Sequence, residues 1–293
     1  MADEEQAESQ EKAKTSRLKL DTASVAGLLL AFGGILCGFM LEEGKASYLL
    51  GPSAFLIVVG GCVGATLVAN PGAAVMDAVR RLRGVFLSAP EDPRELIETL
   101  IQFAMRARKH GIVSLEKDAD EIEDPFLKKA MTLAVDGADL QEIRSMLELE
   151  IDIQEREAGH AAKVFESAGG YSPTIGIIGA VLGLIMVMRR LNEGPDKIGP
   201  GIATAFIATI YGVGLANLFL LPAANKIKAR AQKDAQRCEL ILEGVLSIVE
   251  GLNPKLIRTK LEAYQRAAPK PKKNAEPETA PVPPAGESIP APE

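Results

Sequence analysis

Residues Ser167–Met188 read SAGGYSPTIGIIGAVLGLIMVM, without a single Asp, Glu, Lys, Arg or His. A helix needs about 20 apolar residues to cross about 30 Å of hydrocarbon, and core helices of water-soluble proteins rarely stay uncharged for so long. Three more runs share this property: Thr22–Leu41, Tyr48–Pro71 and Ile198–Asn225. The reading is four transmembrane helices in two pairs. The first run follows a basic stretch, as in an export signal. However, the short loop Glu42–Ser47 leads straight into the second run, which argues for a retained helix.

Lys and Arg near the helix ends set the orientation. Lys12, Lys14, Arg17 and Lys19 precede helix 1; Arg80, Arg81 and Arg83 follow helix 2; Lys226, Lys228, Arg230, Lys233 and Arg237 follow helix 4. The two short loops carry Lys45, and then Arg189, Arg190 and Lys197. Both termini and the long middle loop are therefore expected in the cytoplasm, with Arg189–Arg190 outvoted. Small residues recur at four-residue spacing in every span: Gly34 and Gly38, Gly60 and Gly64, Gly179 and Gly183, Ala208 and Gly212. They predict close helix–helix approach, within or between subunits.

The chain divides accordingly. Residues 1–19 form a polar N-terminus expected to be disordered, and residues 20–71 hold helices 1 and 2. Residues 72–166 form a cytoplasmic helical domain, and residues 167–225 hold helices 3 and 4. Residues 226–265 extend helix 4 into the cytoplasm, and residues 266–293 are a Pro-rich, disordered tail. Within the cytoplasmic part, Gly72–Phe86 reads as an amphipathic helix with Val75, Val79 and Leu82 on one face. Pro90–Pro93 breaks the pattern. The next helix carries Leu96, Ile97, Leu100, Phe103 and Ala104 and ends at Gly111. Ser114-Leu115-Glu116 starts another helix, and Pro125 sits in the first turn of the one after. From Asp139 to Glu166 the periodicity runs on into helix 3. Helix 4 continues through Lys226–Gly251, Asn253-Pro254 stops it, and a short amphipathic helix, Leu256–Tyr264, follows. No strand pattern stands out. The fold class is an all-α membrane protein.

Overall composition conceals this division. Charged residues are 25% and the formal net charge is -6, as in an ordinary soluble chain. The acidic balance argues against a nucleic-acid binder. Three cysteines cannot build a disulfide framework, and Cys37 and Cys62 read as small buried hydrophobes. No nucleotide-binding, zinc-protease or nucleophile-elbow motif is present, so neither an enzyme nor a catalytic residue is expected. His110 and His160 are far apart, and Asp118, Asp120, Glu121, Glu123 and Asp124 lack the spacing of a calcium loop. That acidic group reads as a solvated helical face, and neither a metal nor a cofactor is expected.

The spans hold a more telling absence. Ionisable groups inside a membrane mark ion and proton pathways, and these four spans contain none. Either the chain transports nothing, or a partner helix supplies the carboxylate. The remaining polar groups are hydroxyls, among them Ser24, Ser53, Thr66, Ser172, Thr174, Thr204, Thr209 and Tyr211; each has back-bonding to its own helix as the default. Pro173 at the cytoplasmic start of helix 3 and Pro222 at the cytoplasmic end of helix 4 fall at one membrane depth. They are either a paired hinge or ordinary helix punctuation.

Four strings carry a resemblance: Ala168–Ala180, Ile198–Gly212, Leu221–Lys226 and Glu243–Pro254. With the two-plus-two helix arrangement they resemble, from about residue 20 to residue 265, the MotA/PomA family of flagellar stator ion-channel subunits, within the MotA/TolQ/ExbB superfamily. The resemblance implies a homo-oligomeric ring, five chains around two copies of MotB in the bacterial inner membrane. The MotB helix brings the ion-binding aspartate, and ion flow turns the ring against the rotor protein FliG. By the same resemblance, Pro173 and Pro222 couple the channel to the cytoplasm. Arg108 and Glu116 match the rotor-contacting charges, with Arg106 as an alternative register for Arg108. Thr209 matches a threonine lining the ion path. Ala180 stands where sodium-type members carry Thr, which implies H⁺ rather than Na⁺. A TolQ/ExbB-like energy transducer, a stator-like unit driving a non-flagellar process, and a scaffold without ion flow are the competing readings. The second apolar run and the full cytoplasmic loop favour the stator.

Overall fold

In the computed structural model, the described residues are 19–20, 22–88 and 93–267. The polar N-terminus to residue 18, with Lys12, Lys14 and Arg17, lies outside them, as does the tail from residue 268. The described chain is helical almost throughout. Its one strand pairing is a two-residue antiparallel contact, β1 (Lys19–Leu20) with β2 (Leu87–Ser88).

Helix α1 (Thr22–Leu41) is followed by a 3₁₀ turn, Ala46–Leu49, and by α2 (Pro52–Ala69). Helix α3 is Gly72–Phe86, α4 is Pro93–His110, α5 is Glu116–Glu121 and α6 is Pro125–Val135. The 50-residue α7 (Leu140–Arg189) runs without a break from the charged part of the chain through the third apolar run. Helix α8 (Pro195–Leu215) passes through a π turn, Ala216–Leu220, into α9 (Leu221–Val249), and α10 (Pro254–Ala267) closes the described chain. Three of these helical stretches are long and apolar enough to cross a membrane: Pro52–Ala69, Leu140–Arg189 and Ile198–Val249. The described part of α1 adds a shorter apolar helix, Val25–Leu41.

Each boundary has a local cause. Asp124 caps α6: its Oδ1 accepts from the Phe126 and Leu127 backbone N–H groups at 2.8 and 3.1 Å, and Pro125 needs no partner in the first turn. Helix α4 stops at Gly111, whose φ of +82° only glycine adopts cheaply. A 3₁₀ turn, Ile112–Leu115, then leads into α5. The expected helix start at Ser114 is thus the end of that turn. The Ser114 hydroxyl donates to the Gly111 carbonyl at 2.6 Å.

Three apolar clusters stack along the molecule. The largest joins α4, α6, α7, α9 and α10 through Leu100, Leu115, Met131, Leu147, Ile241 and Leu261, all fully buried. Fully burying one Leu or Ile contributes about 1.5–3 kcal/mol. A second cluster packs Ala78 of α3 against Ala161, Ala162 and Phe165 of α7 and Ala224 and Ile227 of α9. The third, Ala54, Val58, Ile207 and Ala208, joins α2 to α8. The second cluster corrects one expectation. On α3 the inward face is Ala74, Val75, Ala78 and Leu82, whereas Val79 is 50% exposed. Ala78 lets α3 lie closer to α7 than a face centred on Val79 would allow.

Candidate ion-path and coupling site

The seam between α7 and α8 is built from missing side chains. A Cβ on Gly179 would meet the Ala208 Cβ at 2.7 Å, and one on Gly183 would meet the Ala205 backbone N at 2.8 Å. Gly176 and Gly212 touch backbone to backbone: a Cβ on Gly212 would come within 2.7 Å of the Ser172 carbonyl oxygen. Here the four-residue spacing marks true contacts. At Gly34, Gly38, Gly60 and Gly64 an added Cβ would meet nothing within 4 Å, so those positions bury nothing within this chain.

Ala180 and Thr209 each follow a member of the Gly179–Ala208 contact, so the seam brings them to the same level. Ala180 is half-buried and Thr209 is exposed. The Thr209 hydroxyl donates to the Ala205 carbonyl at 3.1 Å, the default helical back-bond. With its proton given to Ala205, the exposed hydroxyl oxygen keeps its capacity to accept. The described residues of the four apolar runs include no acid, base or histidine. This face can therefore offer hydroxyl and carbonyl oxygens to a passing ion, but it cannot relay a proton by itself.

Both prolines sit inside continuous helix. Pro173 lies in the middle of α7, where the Gly169 carbonyl loses its usual donor. Pro222 is the second residue of α9, directly after the π turn Ala216–Leu220. A wider turn before a proline relieves the clash of its ring with the carbonyl four residues back. The two breaks are close in space, because Gly169 packs on Leu221.

Three polar residues here were not legible in the sequence. The Tyr211 hydroxyl donates to the Leu49 carbonyl at 2.5 Å and accepts from the Gly51 N–H at 3.2 Å. It therefore holds the loop between α1 and α2 instead of back-bonding. Ser172 is fully buried and donates to the Gly212 carbonyl at 2.8 Å. Cys62 donates to the Ala168 carbonyl at 3.3 Å. A phenol or a buried hydroxyl signals that a partner exists, but a partner 162 residues away leaves no local pattern. Thr66 does follow the default, donating to the Cys62 carbonyl at 2.7 Å.

In the charged part of the chain, Arg106 and Arg108 lie two positions apart on α4, so they point about 200° apart. Arg106 is bound to Asp118 of α5. Arg108 and Glu116 are both exposed, and Arg108 borders a cavity of about 310 Å³ between the ends of α4, α6 and α9. The acidic group is thus more than a solvated face, since Asp118 holds Arg106 and Asp124 both caps α6 and binds Arg237 of α9. Among the described residues no cluster of His, Cys, Asp or Glu could hold a metal ion.

Two family models match. Residues 25–111 match "Motility protein A N-terminal", and residues 118–240 match the MotA/TolQ/ExbB proton channel family. Motility protein A of Bacillus subtilis is 33% identical over 246 residues, covering 84% of this chain and 91% of that protein. The chain belongs to the motility protein A family. A second member, the chemotaxis protein PomA of Vibrio alginolyticus, is 30% identical over 245 residues, covering 84% of this chain and 95% of that protein. The MotAB structure from C. jejuni superposes with a TM-score of 0.80 at 32% identity, covering 84% of this chain and 96% of that one. The flagellar MotAB stator complex from Bacillus subtilis gives 0.78 at 34% identity, covering 83% and 96%.

Proposed function

We propose that the chain is the channel-forming subunit of a proton-driven flagellar stator. Four transmembrane helices place both termini in the cytoplasm of a bacterial inner membrane. Five copies form a ring around two copies of a MotB-type partner, whose membrane aspartate completes the ion path beside Thr209 and Ala180. Ion passage flexes the two proline breaks at Pro173 and Pro222. Arg108 and Glu116 then push on the rotor protein FliG. Arg106, already bound to Asp118, is the weaker candidate for that contact.

One observation carries the reading: spans free of ionisable groups occur in a chain that matches MotAB stator structures over more than four-fifths of its length. The match of residues 25–111 to a motility-specific N-terminal model favours this over a TolQ/ExbB-like transducer. Ala180, lacking a hydroxyl, removes a hard oxygen that a dehydrating Na⁺ would need, which favours H⁺.

The test is to express the chain with the MotB-type gene beside its own in a stator-less strain and to record swimming. Swimming is expected, abolished by a protonophore and indifferent to sodium removal. Sodium-dependent swimming would overturn the proton assignment, and no swimming under any condition would overturn the stator reading.

A further inference from the structure

Thr66 and Ser172 are two of the three buried polar side chains among the described residues, and Ser172 directly precedes Pro173. With Cys62 they form a chain of contacts across three helices. Thr66 bonds the Cys62 carbonyl on α2, and the Cys62 thiol bonds the Ala168 carbonyl on α7 within reach of the Ser172 hydroxyl. Ser172 bonds the Gly212 carbonyl on α8. Small residues make this possible. Gly212 has no Cβ, so α7 and α8 meet backbone to backbone and a short serine spans the gap.

The acceptor is not an arbitrary carbonyl. The Ala216 N–H is shared between the Gly212 and Val213 carbonyls, and the π turn Ala216–Leu220 begins at that point. The Gly212 carbonyl has two lone pairs, so it accepts from Ser172 and from Ala216 together, and the serine pins α8 at the turn where its winding changes. Ser172 therefore bonds α8 at the carbonyl where its regular winding changes, one residue before the proline that interrupts α7.

We propose that Ser172, seconded by Cys62, is a positioning residue for coupling: a polar staple that makes the breaks at Pro173 and at the π turn before Pro222 bend together. Without it, each helix bends independently and ion passage moves the cytoplasmic domain less. The functional half of this inference rests on the stator reading, whereas the structural half stands alone.

Two measurements on the full complex separate them. The first is hydrogen exchange of the purified complex in detergent. Ser172→Ala should speed exchange of the amides at 216–220 by about fivefold, the size expected for one interhelical hydrogen bond in a membrane protein. Unchanged exchange overturns the staple. The second is torque at high load per fluorescently counted stator unit in a stator-less strain. Ser172→Ala should lower torque per unit at least about threefold while unit number stays the same. Cys62→Ala should lower it less, and Cys62→Ser, which keeps a donor, should restore it. Wild-type torque per unit in Ser172→Ala, or a loss matched by fewer units, overturns the coupling role. Faster exchange alongside a wild-type complex that never rotates a motor would leave the staple standing and refute the stator reading instead.

Discussion

Tyr211→Phe removes one oxygen and strands two backbone groups, the Leu49 carbonyl and the Gly51 N–H. Stranding a fully buried group costs about 1–3 kcal/mol, and these half-buried groups should cost toward the low end of that range. The variant should therefore melt at a lower temperature in detergent while its edge-to-face contact with Phe55, 6.3 Å between centroids, persists. An unchanged melting midpoint would show that the loop finds other partners. A second contrast concerns two arginines. Because Arg106 is held by Asp118 and Arg108 is exposed, Arg108→Glu should impair swimming more than Arg106→Glu at equal membrane abundance. The reverse ranking in a motility assay would restore the alternative register.

Helix α9 carries the cytoplasmic core and offers two tests at the scale of elements. Gly244 faces Leu100 of α4 so closely that an added Cβ would lie 2.6 Å from its Cδ1. Gly244→Ala should cost about 1–3 kcal/mol by overpacking, seen as an earlier unfolding midpoint. One residue before it, Glu243 accepts from Lys260 of α10 at 2.8 Å and from Arg144 of α7 at 3.3 Å, tying three helices together. Burial alone would push the Glu243 carboxyl up, but Lys260 and Arg144 together outweigh it and hold the carboxyl below its ordinary value. The unfolded chain therefore binds this proton more readily than the folded one. The stability is present above the ordinary carboxylate range and is lost as pH falls through the lowered folded value. Glu243→Gln should thus be less stable than wild type at pH 7, with the gap in melting temperature closing on acidification. A gap independent of pH would refute this. Nearby, burial raises the Cys238 thiol to about 12, so it stays protonated and unreactive at neutral pH. Iodoacetamide should modify it slowly until the domain unfolds.

As a MotA-type stator subunit, the whole molecule works by division of labour. The apolar half carries oxygen atoms and close backbone contacts but no charge, and the other half carries the charges. Helix α7 and the continuous stretch from α8 into α9 run from one half into the other. One consequence can be measured at this scale. Because the described span residues of this chain include no Asp, Glu, Lys, Arg or His, purified chain alone in liposomes should leave proton permeability at the background level, and adding the partner subunit should raise it. Proton leak through the chain alone would refute the need for a partner carboxylate.

Periodicity and charge placed nearly every helix before any coordinates: the long α7, the continuation of the fourth run into α9, the stop at Asn253-Pro254, the first-turn Pro125. Each is a short-range matter, since a helix closes its bonds within four residues and a membrane excludes charge residue by residue. The family strings pointed to Thr209, Ala180 and the two prolines, whose roles are the proposal made above. What the tertiary structure decided was which groups meet. It showed that Ala78 rather than Val79 faces α7 and that Arg106 is taken by Asp118. It showed that Tyr211 and Ser172 reach other segments, 162 and 40 residues away, instead of their own helices. A hydroxyl in a span has several carbonyls within reach, and only the packing of glycines, which brings two backbones together, selects among them.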